Sequence, residues 1–373
     1  MLLSSSSLCL FLVAPGAALT WRPMTMSADY AIVGCGVPGR GMGWFHGLQL
    51  VQGECPSGRL SDVVEPWFLG GGKDSPAGEA FQKGCQAVWE PAGVRFSATL
   101  DDCWQRGDDS SPKIALIAGR TADNPKLFRA AIDGGATHIL LEKPGAPSVA
   151  ELEAMASFAE ERKVPVYMGF IKNIAEYVSK ALSYATHDDL VTFVSLNDYT
   201  DATLGECFER NSEGMLKNMA IHELALAATY FGMRSDNLVR VDDVTGDLRT
   251  IGDYTDFASV EFTLINKEGA RPHQSRPLRR RRLLGLVTAP DGSLIIKTDM
   301  VDDARPRGPT ARTSTATSER CARAAIDGAF PEGVATIQTA IEALKLAEYL
   351  TPVLKDTLSK TTVPNVTADP VKP

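Results

Sequence analysis

The sequence predicts an α/β chain in two parts: a parallel sheet covered by helices, then an α/β domain built on an open, largely antiparallel sheet. Three observations carry this. Short apolar runs alternate with helically spaced segments from Tyr30 to Met168, the rhythm of βαβ units. A glycine-rich turn, Gly34-Cys-Gly36-Val-Pro-Gly39, directly follows the first of those runs. Beyond Val191 the strand-like runs lengthen and follow one another with few helices between them, as antiparallel sheets do.

The elements follow in order. Tyr30–Val33 is a short buried strand, and the segment from Gly39 to Leu50 reads as a helix. Ser61–Glu65 is a second strand, halted by Pro66, and Lys113–Ala118 is a third clear one. Asn124-Pro125 opens a helix, since proline is at home in a first turn, and Gly134-Gly135 ends it. His138–Leu141 is a strand; Ser148 and Glu151 then form a capping box ahead of a helix with Leu152, Met155 and Ala159 at helical spacing. Val164–Met168 closes the series.

In the second half Val191–Leu196, Phe257–Ile265, Leu283–Thr288 and Leu294–Thr298 read as strands, with turns at Asn266–Gly269 and Pro290–Gly292. A helix is expected over Asn218–Tyr230 and a long amphipathic one over Val334–Leu350. Arg271–Arg282 is a Pro/Arg-rich interruption with four consecutive arginines, read as a solvated loop or strand edge. The expected division is 1–26 as a targeting peptide, 27–170 and 171–352 as the two domains, and 353–373 as a tail.

Composition limits the partners. The chain has 373 residues, 44% hydrophobic and 23% charged, with a net charge of -8. That balance supports a packed core and argues against nucleic acid or an anionic membrane as the main partner. The seven cysteines have no zinc-ligand spacing, so no metal is expected and they read as free thiols. Leu8–Leu19 is a mostly apolar run behind a serine-rich start, with no acidic residue before Asp29. It fits a signal or organellar address and is too short to span a bilayer; without such an address the chain is expected in the cytoplasm.

The chemistry sits at strand ends. In Gly34-Cys-Gly36-Val37-Pro38-Gly39 one glycine permits a tight turn, the next lets backbone approach a pyrophosphate, and the third lets helix and strand pack closely. The helix behind it aims amide N–H groups at phosphate. This is a Rossmann dinucleotide-binding pattern, with strand before and helix after. Glu65 ends the second strand, where a carboxylate accepts from a ribose 2′-hydroxyl and repels a 2′-phosphate; NAD(H) is therefore preferred, with NADP(H) the alternative. It lies 31 residues beyond Gly34, against the usual ~20, and the loop Gly53–Gly58 absorbs the excess. Ala118, Gly119 and Asn124, after the Lys113 strand, and Glu142-Lys143-Pro144, after the next, are further candidates at the ligand-binding edge. Asn218 and His222 are four residues apart, the spacing of one helix face, and histidine suits proton transfer near neutral pH.

Taken together these residues resemble the Gfo/Idh/MocA (glucose–fructose oxidoreductase / inositol dehydrogenase) family over roughly residues 30–350. The resemblance is carried by Gly34–Gly39, Asn124-Pro125, Ala131–Gly135 leading to Glu142-Lys143-Pro144, Met168-Gly169-Phe170, the segment Asn218–Leu226 and the turn Pro290–Leu294. It implies a Rossmann domain followed by a substrate domain whose open sheet forms a homo-oligomer. It also implies hydride transfer between the nicotinamide and a sugar, cyclitol or related polyol or ketone. His222 would take the hydroxyl proton, and Lys143 would orient the reacting oxygen. Asn218 stands where the family has Asp, Ala220 and Ala225 replace Gly and Asp, and Lys172 and Asn173 occupy the region of an arginine, making them candidates for substrate contact. Those departures leave open a cofactor-binding regulator without turnover, and an NAD-assisted elimination or glycoside cleavage.

Overall fold

The computed structural model describes residues 26–361, apart from 40, 102, 105–109, 187–188, 196–202, 206–207, 209–212, 270–271, 277–282, 289–293 and 300–308. The targeting segment (but for Met26), the four-arginine run and the tail beyond 361 therefore lie outside the described residues. Two sheets organise the described residues.

The first half contributes β1 (Ala28–Val33), α1 (Met42–Val51), β2 (Gly58–Val64), α2 (Pro76–Gly84) and β3 (Arg95–Ser97). Then come β4 (Lys113–Ile117), α3 (Asn124–Asp133), β5 (His138–Leu141), α4 (Val149–Arg162) and β6 (Val166–Met168). With β13 (Ala335–Thr336) from later in the chain, the sheet order is β13-β6-β5-β4-β1-β2-β3, with β1 to β6 parallel and β13 antiparallel at the edge. β1 is buried along its whole length, as a strand covered on both faces is. The order reverses between β1 and β4, the switch point at which doubly wound sheets open a crevice. At α4 the Ser148 hydroxyl accepts from the Glu151 amide at 3.3 Å and donates to its carboxylate at 2.7 Å, closing the capping box.

The second sheet runs β12-β11-β7-β10-β9-β8. It is formed by β7 (Leu190–Ser195), β8 (Leu238–Ile251), β9 (Tyr254–Asn266), β10 (Pro272–Arg276), β11 (Leu283–Thr288) and β12 (Leu294–Asp299). Only β7 and β10 pair in parallel, so the sheet is largely antiparallel, as expected. α5 (Glu176–Tyr184) precedes β7, and a single helical turn α6 (Met215–Asn218) and α7 (Ile221–Phe231) lie between β7 and β8.

The chain then returns to the first sheet. α8 (Pro309–Asp327) packs on α1, β1 and β2, and β13 (Ala335–Thr336) pairs with β6. The Tyr30 hydroxyl donates to the Ser318 carbonyl at 2.6 Å, and Gln49 donates to the Ser314 hydroxyl at 3.1 Å. The last helix, α9 (Ile337–Thr361), runs past the expected end at Leu350 and packs on α4, α7 and β8. Among the described residues no helix is long and apolar enough to cross a membrane, and the five described cysteines are buried thiols.

Candidate active site

Backbone hydrogen bonds gather the carboxyl ends of the parallel strands. Gly34 N–H donates to the Val64 carbonyl at 2.8 Å, Ala118 to Val33 at 2.9 Å, and Glu142 to Ile117 at 2.9 Å. The loops after β1, β2, β4 and β5 therefore meet along one edge. Gly34 has φ +79°, and a Cβ there would stand 2.4 Å from the Gly119 Cα. No residue but glycine fits where the loops after β1 and β4 touch.

Gly36 and Gly39 also have positive φ, at +77° and +74°. The third glycine's task is, however, performed elsewhere. A Cβ at Gly39 would meet nothing within 4 Å, whereas one at Gly43 would lie 2.8 Å from the Cys35 Cα and one at Gly41 2.6 Å from the Cys35 carbonyl oxygen. Gly41 and Gly43 let α1 close on the turn; the helix begins at Met42, not Gly39. The alternation Gly39-Arg-Gly41-Met-Gly43 was the available signal. Val37 accepts from the Gly41 amide at 2.9 Å, and Pro38 packs towards Gly84 at the end of α2.

Glu65, just past β2, is 5% exposed. Its carboxylate accepts from the Gly36 amide at 2.9 Å and the Trp67 amide at 3.2 Å. Negative charge is thus fixed against the glycine turn. Asn124 is 1% exposed and donates to the Gly145 carbonyl at 3.0 Å, while its buried Oδ1 has no protein partner among the described residues. The acid-free first turn of α1, the glycine cradle, Glu65 and the orphaned Asn124 oxygen beside Gly119 together fit a dinucleotide.

Glu142 turns away from this edge. Its carboxylate meets the His46 Nε2 at 3.1 Å, and the His46 Nδ1 lies 3.1 Å from the Ser318 hydroxyl. His46 is 1% exposed, so α1, β5 and α8 are joined through one buried imidazole, a link that the sequence does not reveal. Lys143, its peptide to Pro144 cis, donates from Nζ to the Asn218 carbonyl at 2.7 Å and side-chain Oδ1 at 3.0 Å.

Asn218 and His222 do not share a helix. Asn218 ends α6, Met219 and Ala220 form a turn, and His222 is on α7. His222 is half-buried, its ring edge-on to Phe170 with centroids 5.8 Å apart. Lys172 and Asn173 occupy the 3-10 turn Ile171–Ile174 and are 6% and 1% exposed. The Lys172 ammonium pairs with Glu223 of α7, and Asn173 donates to the Thr229 hydroxyl at 2.8 Å. Their described bonds thus run to the helix that carries His222.

Known proteins share the fold that carries these residues. Residues 81–170 match the model of an oxidoreductase family with an NAD-binding Rossmann fold. A comparison with curated protein sequences returns no match. Among solved structures, a myo-inositol dehydrogenase from Corynebacterium glutamicum superposes with a TM-score of 0.63 at 16% identity, over 90% of this chain and 97% of that one. A scyllo-inositol dehydrogenase from Lactobacillus casei, with bound NAD(H) and scyllo-inositol, gives 0.65 at 14% identity over 90% and 97%. A probable dehydrogenase from Thermotoga maritima gives 0.66 at 16% identity over 88% and 97%. At these identities the likeness is one of fold. The family match covers residues 81–170, within the first sheet, and the two-sheet architecture is the fold of these dehydrogenases.

Proposed function

We propose that the chain is an NAD(H)-dependent dehydrogenase acting on a CH–OH group of a sugar, cyclitol or related polyol, or on the corresponding ketone. The single observation that carries this reading is the Glu65 carboxylate bonded to the Gly36 amide, at the mouth of a glycine turn that admits no side chain at Gly34. A carboxylate there favours a ribose diol and disfavours a 2′-phosphate. The inositol dehydrogenases of the same fold support the class of substrate.

In this reading Gly34, Gly36, Val37, Pro38 and Gly39 hold the pyrophosphate, Glu65 the adenosine ribose, and Ala118, Gly119 and Asn124 the nicotinamide end. Bound nicotinamide supplies hydride acceptance or donation. The protein's own part is positioning and proton transfer. Lys143 donates from Nζ to the reacting oxygen and orients it, while the His222 imidazole takes the hydroxyl proton in oxidation and returns it in reduction. Glu142, next to Lys143, ties the end of β5 to α1 through His46. Lys172 and Asn173 serve by fixing α7, and with it His222. The open edge strand β8, with Val239 63% and Ile251 40% exposed, is the surface for a homo-oligomer.

The test is a fluorescence titration of residues 27–373 with NADH and, separately, NADPH, followed by a polyol panel with NAD. Tight NADH and weak NADPH binding, with turnover lost in His222→Ala, support the reading. Absence of binding by a folded sample overturns it, and tight binding without turnover across the panel makes the chain a regulator.

A further inference from the structure

Lys143 does not end the chain of bonds at Asn218. The Asn218 Nδ2 donates to the Glu213 carboxylate at 3.0 Å, while its Oδ1 accepts from the Lys143 Nζ at 3.0 Å. Chemistry fixes this orientation, because a carboxylate only accepts and an ammonium only donates. Rotating the amide by 180° would set its NH2 against the ammonium and its oxygen against the carboxylate, breaking both bonds. Glu213 therefore decides which face Asn218 presents to Lys143.

Neighbouring groups are engaged elsewhere. Glu142, next to Lys143, is turned to His46. Lys217, next to Asn218, donates to the Pro147 carbonyl and to Glu348. On β9, Asp256 accepts from the Tyr254 hydroxyl and the Met215 amide and lies 3.4 Å from Lys355. Burial, Asp256 and Glu213 together push the Tyr254 phenol up. Negative charge thus lies behind Asn218 in the turn before α6 and on β9, with Glu213 as the member in contact with the amide.

We propose that Glu213 is a positioning residue for Lys143, acting through the Asn218 side-chain amide. A neutral amide stands where a carboxylate would bind the lysine directly, and Glu213 restores both direction and charge from one bond further out. This rests on the reading of Lys143 as a site residue, and deepens it.

Lys143 can be observed without a substrate. Competitive acetylation of the full chain with acetic anhydride, across pH 7 to 10 and read by peptide mass spectrometry against exposed Lys163, reports the neutral amine. In Glu213→Ala, Lys143 acetylation relative to Lys163 at pH 8 is expected to rise on the order of threefold to tenfold as the ammonium loses its oriented partner and nearby charge. Glu213→Gln keeps a carbonyl for the Asn218 Nδ2 and is expected to fall between wild type and alanine, a partial rescue that a role in bulk folding would not produce. Labelling of Lys143 in Glu213→Ala that matches wild type throughout the pH range overturns the proposal. Should the alanine variant fail to fold by thermal melt, the glutamine variant decides on the same readout. NADH titration of wild type runs alongside; its failure removes the dehydrogenase reading, while the labelling ratio still decides the role of Glu213.

Discussion

The Glu65 carboxylate accepts a hydrogen bond from the Gly36 backbone amide at 2.9 Å, which ties the end of β2 to the turn after β1. Two features 29 residues apart thereby act as one site. Glu65→Gln keeps the size of the side chain and removes its charge. It is expected to weaken NADH about tenfold or more, the scale of a hydrogen bond to a charged group at ~1.5–3 kcal/mol, and to narrow the NADH/NADPH ratio. Parallel fluorescence titrations check this; an unchanged ratio would remove the ribose role.

Gly34 and Gly39 share a positive φ but not a neighbourhood. Gly34→Ala would drive a methyl into the Gly119 backbone, where the approach is 2.4 Å, and is expected to abolish NADH binding or soluble expression. Gly39→Ala meets no atom within 4 Å and carries only the left-handed backbone cost of about 1–2 kcal/mol. Urea unfolding and NADH titration of both variants check the contrast, and equal damage from the two would refute it.

Lys172 and Glu223 form a pair with side chains 8% and 3% exposed. Removing one partner strands a buried charge, so Lys172→Met is expected to cost about 3–5 kcal/mol, while Lys172→Met with Glu223→Leu recovers most of that loss. Denaturant midpoints of the single and double variants measure it. A double variant no more stable than the single one would show that the two groups are not energetically coupled.

Glu319 on α8 carries an acid-side dependence of stability. Burial raises its carboxyl, but bonds from the Ser57 amide, Arg323, the Ser57 hydroxyl and Cys55 outweigh that and hold it below the ordinary 4.5. A depressed folded-state value means stability present above the unfolded value and lost as pH falls through the folded one. Wild type is therefore expected to lose stability below about pH 4.5 more steeply than Glu319→Gln. Thermal melts from pH 6 to 3 compare the slopes, and parallel curves would exclude the effect.

Legibility varied with the kind of burial. His138–Leu141 was readable to the residue because a strand covered on both faces is a bare apolar run between turn signals. β8 was not: Leu238–Ile251 is rich in Asp, Arg and Thr and largely exposed on an edge, so it carries no such run. β10 lay concealed in the Pro/Arg-rich segment, paired between β7 and β9. α8 is rich in Ser and Thr, residues of middling or weak helix propensity, and it buries Ser314, Thr317 and Ser318 against the first sheet. Its place depends on partners more than 260 residues away.

By itself the sequence determined the parallel sheet, the glycine turn and its strand-end carboxylate, and the lysine after β5. These are local patterns, fixed by hydrophobic periodicity and by the few residues that tight turns admit. Tertiary structure alone decided that Gly43 rather than Gly39 takes the close packing, that Glu142 turns to His46, and that Asn218 and His222 belong to separate helices. It alone set Glu213 behind Asn218. Each of these depends on which distant backbone or charge fills the adjoining space, and chain packing rather than residue spacing determines that.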